Sequence, residues 1–420
     1  MPYPCPRRAV ALVIAVAAAL SPVGSRLEAA VIVLANRASQ PVRCEVAGLS
    51  GPLAYTIARG DLVCVPVSGQ AESQIAFESD GNAVGYHLDP NSCYYFFDTA
   101  HGGLNLQKIG YSDAGEMPPL VDAPATLWEK ADKKLPRLAK IPVKLLVDDE
   151  ERMTTEAWQD RLRKRLEMAS GIFERTCRIR FEIVAFDTWD SDDRITDFTR
   201  SMVEFEAEVP PAPARLVIGF TSQYSPMTGP TKVGGTRAAF YPYVMVREWA
   251  QHYTEAERLE MLVHELGHYL GAVHSPETTS VMRPVLGDRQ ARLRSFRIGF
   301  DPLNALAIYL VGEEYRIRGN IRRLIELSPT TRLQLRTIYQ EIGRSIPDDP
   351  APPQYIQLLG NLPAAGHHAG LRPVLPEAAP PAAADAANSP DATSQDAPSG
   401  AAATRPAGML LRPTRANSGR

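Results

Sequence analysis

Three of the chain's eight histidines fall within eleven residues, inside the stretch MLVHELGHYLGAVHSPETTSVMRP from Met261 to Pro284. His264 and His268 are four residues apart, so on a helix their imidazoles share one face, one turn apart. Two neutral imidazoles placed in this way can reach one zinc ion at about 2.0–2.1 Å. Glu265 stands beside the first of them, where its carboxylate can reach a water on the metal instead of the metal itself. A catalytic zinc site takes three protein ligands and keeps one position open. Gly271 makes a third ligand available: glycine ends a helix in the left-handed conformation at no steric cost, so the chain can turn there and bring His274 back. Ser275 and Pro276 then open a loop that runs to Met282. The chemistry open to such a set is metal-assisted hydrolysis, with Glu265 as the proton carrier.

The elements that must position these residues are legible around them. The run EAERLEMLVHELGHYL has strong helix formers and no proline, and Thr254 with Glu257 three residues on forms a capping box at its start. Upstream, KIPVKLLVD reads as a strand and TTEAWQDRLRKRLEMASGIFERT as a helix, with Trp158, Leu162, Leu166, Ala169 and Phe173 recurring at steps of three to four. RFEIVAFDTW is a further strand and ITDFTRSMVEFEAEV a further helix. ARLVIGFTS and YPYVMVREW are strands. After the motif, Asp301 and Pro302 start another helix, PLNALAIYLVGEEY, and one or two more follow to about Arg344. Strand, helix and strand in this order give an α+β or α/β sandwich.

HELGHYLGAVH resembles the zinc-binding signature HExxHxxGxxH of the metzincin metallopeptidases, and Met282 resembles the methionine of their Met-turn. Ser275 after the third histidine is similar to matrixins within that clan. The resemblance covers about Leu127 to Arg318 and implies the α+β form, a mixed sheet with the active-site helix. It implies zinc on His264, His268 and His274, Glu265 as general base, and Met282 packed beneath the metal. It implies a zinc endopeptidase acting on protein or peptide substrates. An extended substrate would pair with a sheet edge, for which the segment Gly234 to Phe240 is the candidate. No segment resembles the structural-zinc and calcium loops of matrixins, nor their cysteine-switch propeptide. DTWDSDD, Asp187 to Asp193, has oxygen ligands that could hold calcium, but it is read as a solvated acidic turn.

The remaining chain frames this domain. Arg7 and Arg8, the apolar run Ala9 to Leu20 and the small residues to Ala30 have the layout of a secretory signal peptide over residues 1–30, too short to span a bilayer. Export, extracellular or periplasmic, is therefore expected, with no stable membrane insertion. Residues 31–112 read as short strands of a small antiparallel β domain of the sandwich type. Residues 113–126 read as a linker, residues 127–350 as the zinc domain with its C-terminal helices, and the alanine- and proline-rich residues 361–420 as a disordered tail. The tail holds the exposed pair His367 and His368, a weak metal site at best. Cys5 leaves with the signal. Cys44, Cys64, Cys93 and Cys177 allow three full pairings, and Cys44 with Cys64 is the pair to test first. A net charge of −3 on 420 residues gives no footprint for nucleic acid. The alternative to an endopeptidase is a secreted adhesion or carbohydrate-binding protein whose zinc domain is not catalytic. The β domain is expected to be a retained accessory module, not a cysteine-type inhibitor.

Overall fold

Alternation along β1, Ala29–Asn36, sets the architecture of the N-terminal half, because both of its faces are buried. In the computed structural model, which describes residues 29–48, 51–69, 73–99, 102–109, 120–121, 137–195, 197–223, 234–248, 253–293 and 296–361, this strand is shared by two cores. Ile32 and Leu34 point into a β-sandwich, while Val31 and Val33 point into the core of the domain that follows. The sandwich is built from β2 (Val42–Gly48), β3 (Gly51–Ile57), β4 (Leu62–Ser68), β5 (Ser73–Ser79), β6 (Asn82–Leu88), β7 (Ser92–Asp98), β8 (Leu104–Lys108) and β9 (Leu120–Val121). One sheet has the order β4-β1-β7-β8 and the other β3-β2-β5-β6-β9. Tyr94 and Phe96 fill the space between the sheets and Tyr95 and Phe97 stay partly exposed, as alternation on one strand requires.

One expectation from the sequence needs correction here. The sandwich is not purely antiparallel, since β1 pairs with β7 in parallel. The span read as a linker contributes β9, which pairs with β6. The four cysteines described are all free thiols. Cys44 belongs to the sandwich core, whereas Cys64 packs against the core on the other side of its sheet, so the pair singled out from the sequence faces two different interiors. Residues 1–28, most of the linker and residues 362–420 lie outside the described residues. The signal-peptide and tail expectations fall there.

The second sheet unit starts with β10, Ala139–Asp148, and continues through α1 (Thr155–Cys177), β11 (Ile179–Trp189), α2 (Phe198–Glu208), β12 (Leu216–Thr221), β13 (Gly234–Thr236) and β14 (Tyr243–Arg247). Its order is β11-β10-β12-β14-β13, with every neighbouring pair parallel except β13 with β14. A buried parallel strand reads as a continuous apolar run, and Leu216 to Thr221 is buried at every position. Trp158, Leu162, Leu166, Ala169 and Phe173 of α1 pack on one face of the sheet, as their spacing predicts. α2 covers the other face through Phe198, Met202 and Phe205. This helix starts at Phe198, later than the sequence suggests, where the Asp197 side chain accepts the Arg200 N–H as a cap.

The active-site helix α3, Glu255–Tyr269, follows β14. Then come α4 (Pro302–Arg318), α5 (Pro329–Ser345) and α6 (Ala351–Leu358). α4 is buried at every position from Asn304 to Gly312, so it is apolar all round and must be covered on all sides. The β-sandwich supplies part of that cover: α4 packs on β1, β4 and β7, and the Cys93 thiol lies 3.3 Å from the Pro302 carbonyl oxygen. Among the described residues, no helix is long and apolar enough to cross a membrane.

Candidate active site

The N-terminus of α3 is fixed by the capping box expected from the sequence. Thr254 Oγ1 accepts the Glu257 N–H, and Glu257 Oε2 accepts the Thr254 N–H at 2.8 Å. The C-terminus is closed as a Schellman motif. The Ala272 N–H donates to the Gly267 carbonyl at 2.9 Å and the Gly271 N–H to the His268 carbonyl at 3.0 Å, with Gly271 at φ +94°. A residue with a Cβ would be strained at that φ, which is the physical reason for glycine here.

His264, His268 and His274 are brought together, with one ring nitrogen of each within 4.8 Å of the others. Every second ring nitrogen is occupied. His264 Nδ1 lies 2.8 Å from the Val281 carbonyl oxygen, His268 Nδ1 2.9 Å from the Ala272 carbonyl oxygen, and His274 Nδ1 2.7 Å from Asp349 Oδ2. Carbonyl and carboxylate oxygens only accept, so each Nδ1 carries the proton and each Nε2 presents a lone pair. His264 Nε2 and His268 Nε2 are 3.1 Å apart. Two lone pairs cannot hydrogen-bond each other, whereas a tetrahedral ion with bonds of about 2.0–2.1 Å would separate two ligand nitrogens by roughly 3.3 Å. Burial holds the His264 imidazole down at about 3 and His268 well below the usual histidine range, so both are neutral, as metal ligation requires. The three residues fit zinc by donor chemistry, by tautomer and by spacing.

Glu265 is 5% exposed and lies against the edge strand β13. A Cβ on Gly234 would stand 2.7 Å from Glu265 Oε1. The strand proper is Gly234–Thr236, shorter than the span Gly234 to Phe240 suggested by the sequence, because the chain turns away before Phe240, which has φ +60°. Met282 is fully buried under α3. A Cβ on Gly267 would come within 2.7 Å of Met282 Sδ, so this glycine lets the sulfur approach the helix backbone between the two ligand turns. The turn itself is held by Ser275 N–H to the Met282 carbonyl at 2.8 Å and Met282 N–H to Ser280 Oγ at 3.0 Å. Arg283, next in the chain, pairs with Glu260 of α3 at 2.7 Å, and both are buried.

Several contributors were invisible in the sequence. Asp349 joins the site from the segment between α5 and α6, 75 residues beyond His274. Tyr355 donates to the His268 carbonyl at 2.9 Å and Tyr339 to the Gly271 carbonyl at 2.6 Å. Burial and the nearby Glu265 charge push the Tyr355 phenol up, so it stays a protonated donor. No periodic pattern marks these residues, because each acts across a long loop closure.

Residues 139–291 match the family model described as metallo-peptidase family M12. That span contains the sheet unit, α3 and all three histidines. The chain is a zinc metallopeptidase. Zinc is its metal, and the peptidase is a hydrolase of peptide bonds. Among solved structures it is similar to archaemetzincin from Methanopyrus kandleri, at 16% identity over 43% of this chain and 99% of that one, with a TM-score of 0.33. Archaemetzincin from Archaeoglobus fulgidus, complexed with malonate, is similar at 16% identity over 40% of this chain and 99% of that one, with a TM-score of 0.28. One chain of a chaperone-substrate complex is similar at 10% identity, covering 53% of this chain and 45% of that one, with a TM-score of 0.31. No curated protein matches the peptidase in sequence.

Proposed function

We propose that the protein is an exported zinc endopeptidase in which His264, His268 and His274 hold the metal and Glu265 is the general base. The observation that supports this most is the set of three imidazoles, each anchored through Nδ1, whose remaining nitrogens converge beside a carboxylate at a sheet edge. Zinc, when bound, supplies Lewis acidity toward water and toward the scissile carbonyl. The rest is done by the chain. Glu265, held against β13, is placed to take a proton from the attacking water and return it to the leaving amine. The β13 edge offers backbone groups to an extended peptide, which fixes the scissile bond relative to Glu265. Val281, Ala272 and Asp349 keep the three imidazoles in the tautomer that faces the metal.

Export rests on the charged start, apolar run and small-residue end of residues 1–30. Kinship to matrixins in particular rests on Ser275 following His274. The purified mature chain should hydrolyse casein, lose that activity on zinc chelation and regain it on zinc addition. Glu265→Gln keeps the shape but cannot accept a proton, so it should retain zinc by elemental analysis and lose at least about a hundredfold in turnover. Near-normal turnover in that variant would move the base elsewhere. A zinc-loaded wild-type chain inert toward casein and peptide libraries would favour a binding protein over a peptidase.

A further inference from the structure

A cavity of about 910 Å³ opens where the starts of the parallel strands meet the C-terminal helices. Pro142 lies near the start of β10, Arg215 just before β12 and Pro242 just before β14, and the ends of α4 and α6 close the other side. None of the three histidines lines it, nor does Glu265, so hydrolysis leaves it unused. Its volume falls within the range of small-molecule sites. Its walls are largely apolar and aromatic, with Phe240, Tyr241 and Tyr315 the largest rings. Its charge is one-sided. Arg215, Arg322 and Arg323 line it, and among the described residues no aspartate or glutamate does.

Arg215 gives the cavity its chemistry. The guanidinium stands 4.9 Å from the centre of the Tyr315 ring and 5.9 Å from that of Phe240, two rings inclined by only 24°. Its Nη1 reaches the Gly319 carbonyl only at 3.4 Å. Its Nε and Nη2 are buried and make no hydrogen bond of good geometry, and the Tyr269 hydroxyl beside them is in the same state. Arginine does not shed its proton, so the charge persists. Arg323 pairs with Glu326, but among the described residues no carboxylate pairs with the side chain of Arg215 or of Arg322. A cation set against apolar walls without a counter-charge costs free energy that an anion would recover.

We propose that this cavity binds an apolar carboxylate: an aromatic or aliphatic acid whose body packs on Phe240, Tyr241 and Tyr315 and whose carboxylate pairs with Arg215 and Arg322. The planar guanidinium fork matches a carboxylate. A neutral ligand would leave both charges unpaired, and a cation would be repelled. Inorganic phosphate would meet the charge but bury no apolar surface.

The position gives the ligand a task. Ala238 to Pro242 continue the chain from β13, the strand against Glu265, and the Phe240 N–H donates to the carbonyl of Tyr269, the last residue of α3, at 2.8 Å. A bound acid would brace the link between that strand and the helix carrying His264 and His268. The acid comes either from a free molecule or from an acidic, apolar stretch of a peptide laid along β13. The second source rests on the peptidase reading, whereas the binding site does not.

The test uses the full mature chain with its zinc. Two acids, 2-naphthoate and octanoate, are titrated by calorimetry against the alcohols with the same bodies, 2-naphthalenemethanol and octanol. One acid should bind per chain, at least about tenfold more tightly than its alcohol, and saturation should raise the melting temperature by about 2 °C or more. Arg322→Glu, at an exposed position, should weaken both acids by about tenfold or more and leave the alcohols and the zinc content unchanged. Arg215→Met, which keeps an apolar side chain between the rings, should do the same. No saturable binding of either acid up to about 1 mM would overturn the proposal. So would equal affinity for acid and alcohol, or undiminished acid binding in both variants. A second arm separates the sources. An acid that raises KM for a long acidic peptide, but not for a short one with the same scissile bond, marks a carboxylate delivered by substrate. Binding without such competition marks a free ligand. Calorimetry and melting need no substrate, so this proposal and the peptidase reading fail separately.

Discussion

His274 has the least local support of the three zinc ligands. His264 and His268 ride on a capped helix, while His274 lies beyond the helix end and its orientation depends on Asp349. Asp349 also accepts the Ala351 N–H at 2.8 Å through its other oxygen, so the start of α6 holds the carboxylate in place. Asp349→Ala should weaken zinc affinity by about 10–100-fold, as loss of such an outer partner generally does. Asp349→Asn keeps an acceptor and should lose less. Competition with a fluorescent chelator measures both, and wild-type affinity in the alanine variant would refute the role. The same contrast shows what the sequence reveals at this scale. The two helical histidines, Glu265 and Gly271 are related by short spacings that one helix and its end impose, so they can be read directly. Asp349 and Tyr355 reach the site only through the packing of α5 and α6, and no local pattern encodes that.

Between elements, the closest approach at the site is that of α3 and β13. Glycine at position 234 leaves room for Glu265, whose Oε1, Cγ and Cδ would all stand within 3.0 Å of an added Cβ. Gly234→Ala must therefore displace the carboxylate or the edge strand. Turnover should fall by roughly tenfold to a hundredfold, the range expected for a displacement near 1 Å, with zinc retained because no ligand is touched. Unchanged turnover would show that Glu265 works from another rotamer. Elements with their own signals were legible. α3 declared itself by its capping box, α1 by its apolar spacing, and α4 by the Asp301 cap before Pro302. Pairings were not legible. The parallel contact of β1 with β7 joins residues about 60 apart, and β9 is two residues long, so neither leaves a periodic trace.

For the whole molecule, the question is whether the β-sandwich can be separated from the peptidase. From the sequence it is expected to be a retained accessory module. The packing goes further, because Val31, Val33 and Cys93 are buried in the peptidase's own core and α4 is apolar on the side the sandwich covers. The exposed ion pairs across the contact, Arg37 with Glu277 and Arg297 with Asp61, add little in water. Burial carries the attachment, at about 1.5–3 kcal/mol for each fully buried valine. Latency through a thiolate is not supported, since burial pushes Cys44 and Cys64 up to about 12 and Cys93 well above its usual value, and the Cys93 thiol faces Pro302. A chain starting near residue 125 should therefore be less stable and no more active than the full mature chain. We expect a melting temperature lower by at least about 5 °C, or aggregation, together with increased binding of a hydrophobic dye to the uncovered α4. Rates on a short peptide, normalised to bound zinc, should not rise. A shortened chain that melts with the full one would show that the sandwich is dispensable. A rise of about tenfold on truncation, reproduced in the long form by a cysteine-to-serine change, would establish the sandwich as an inhibitor instead.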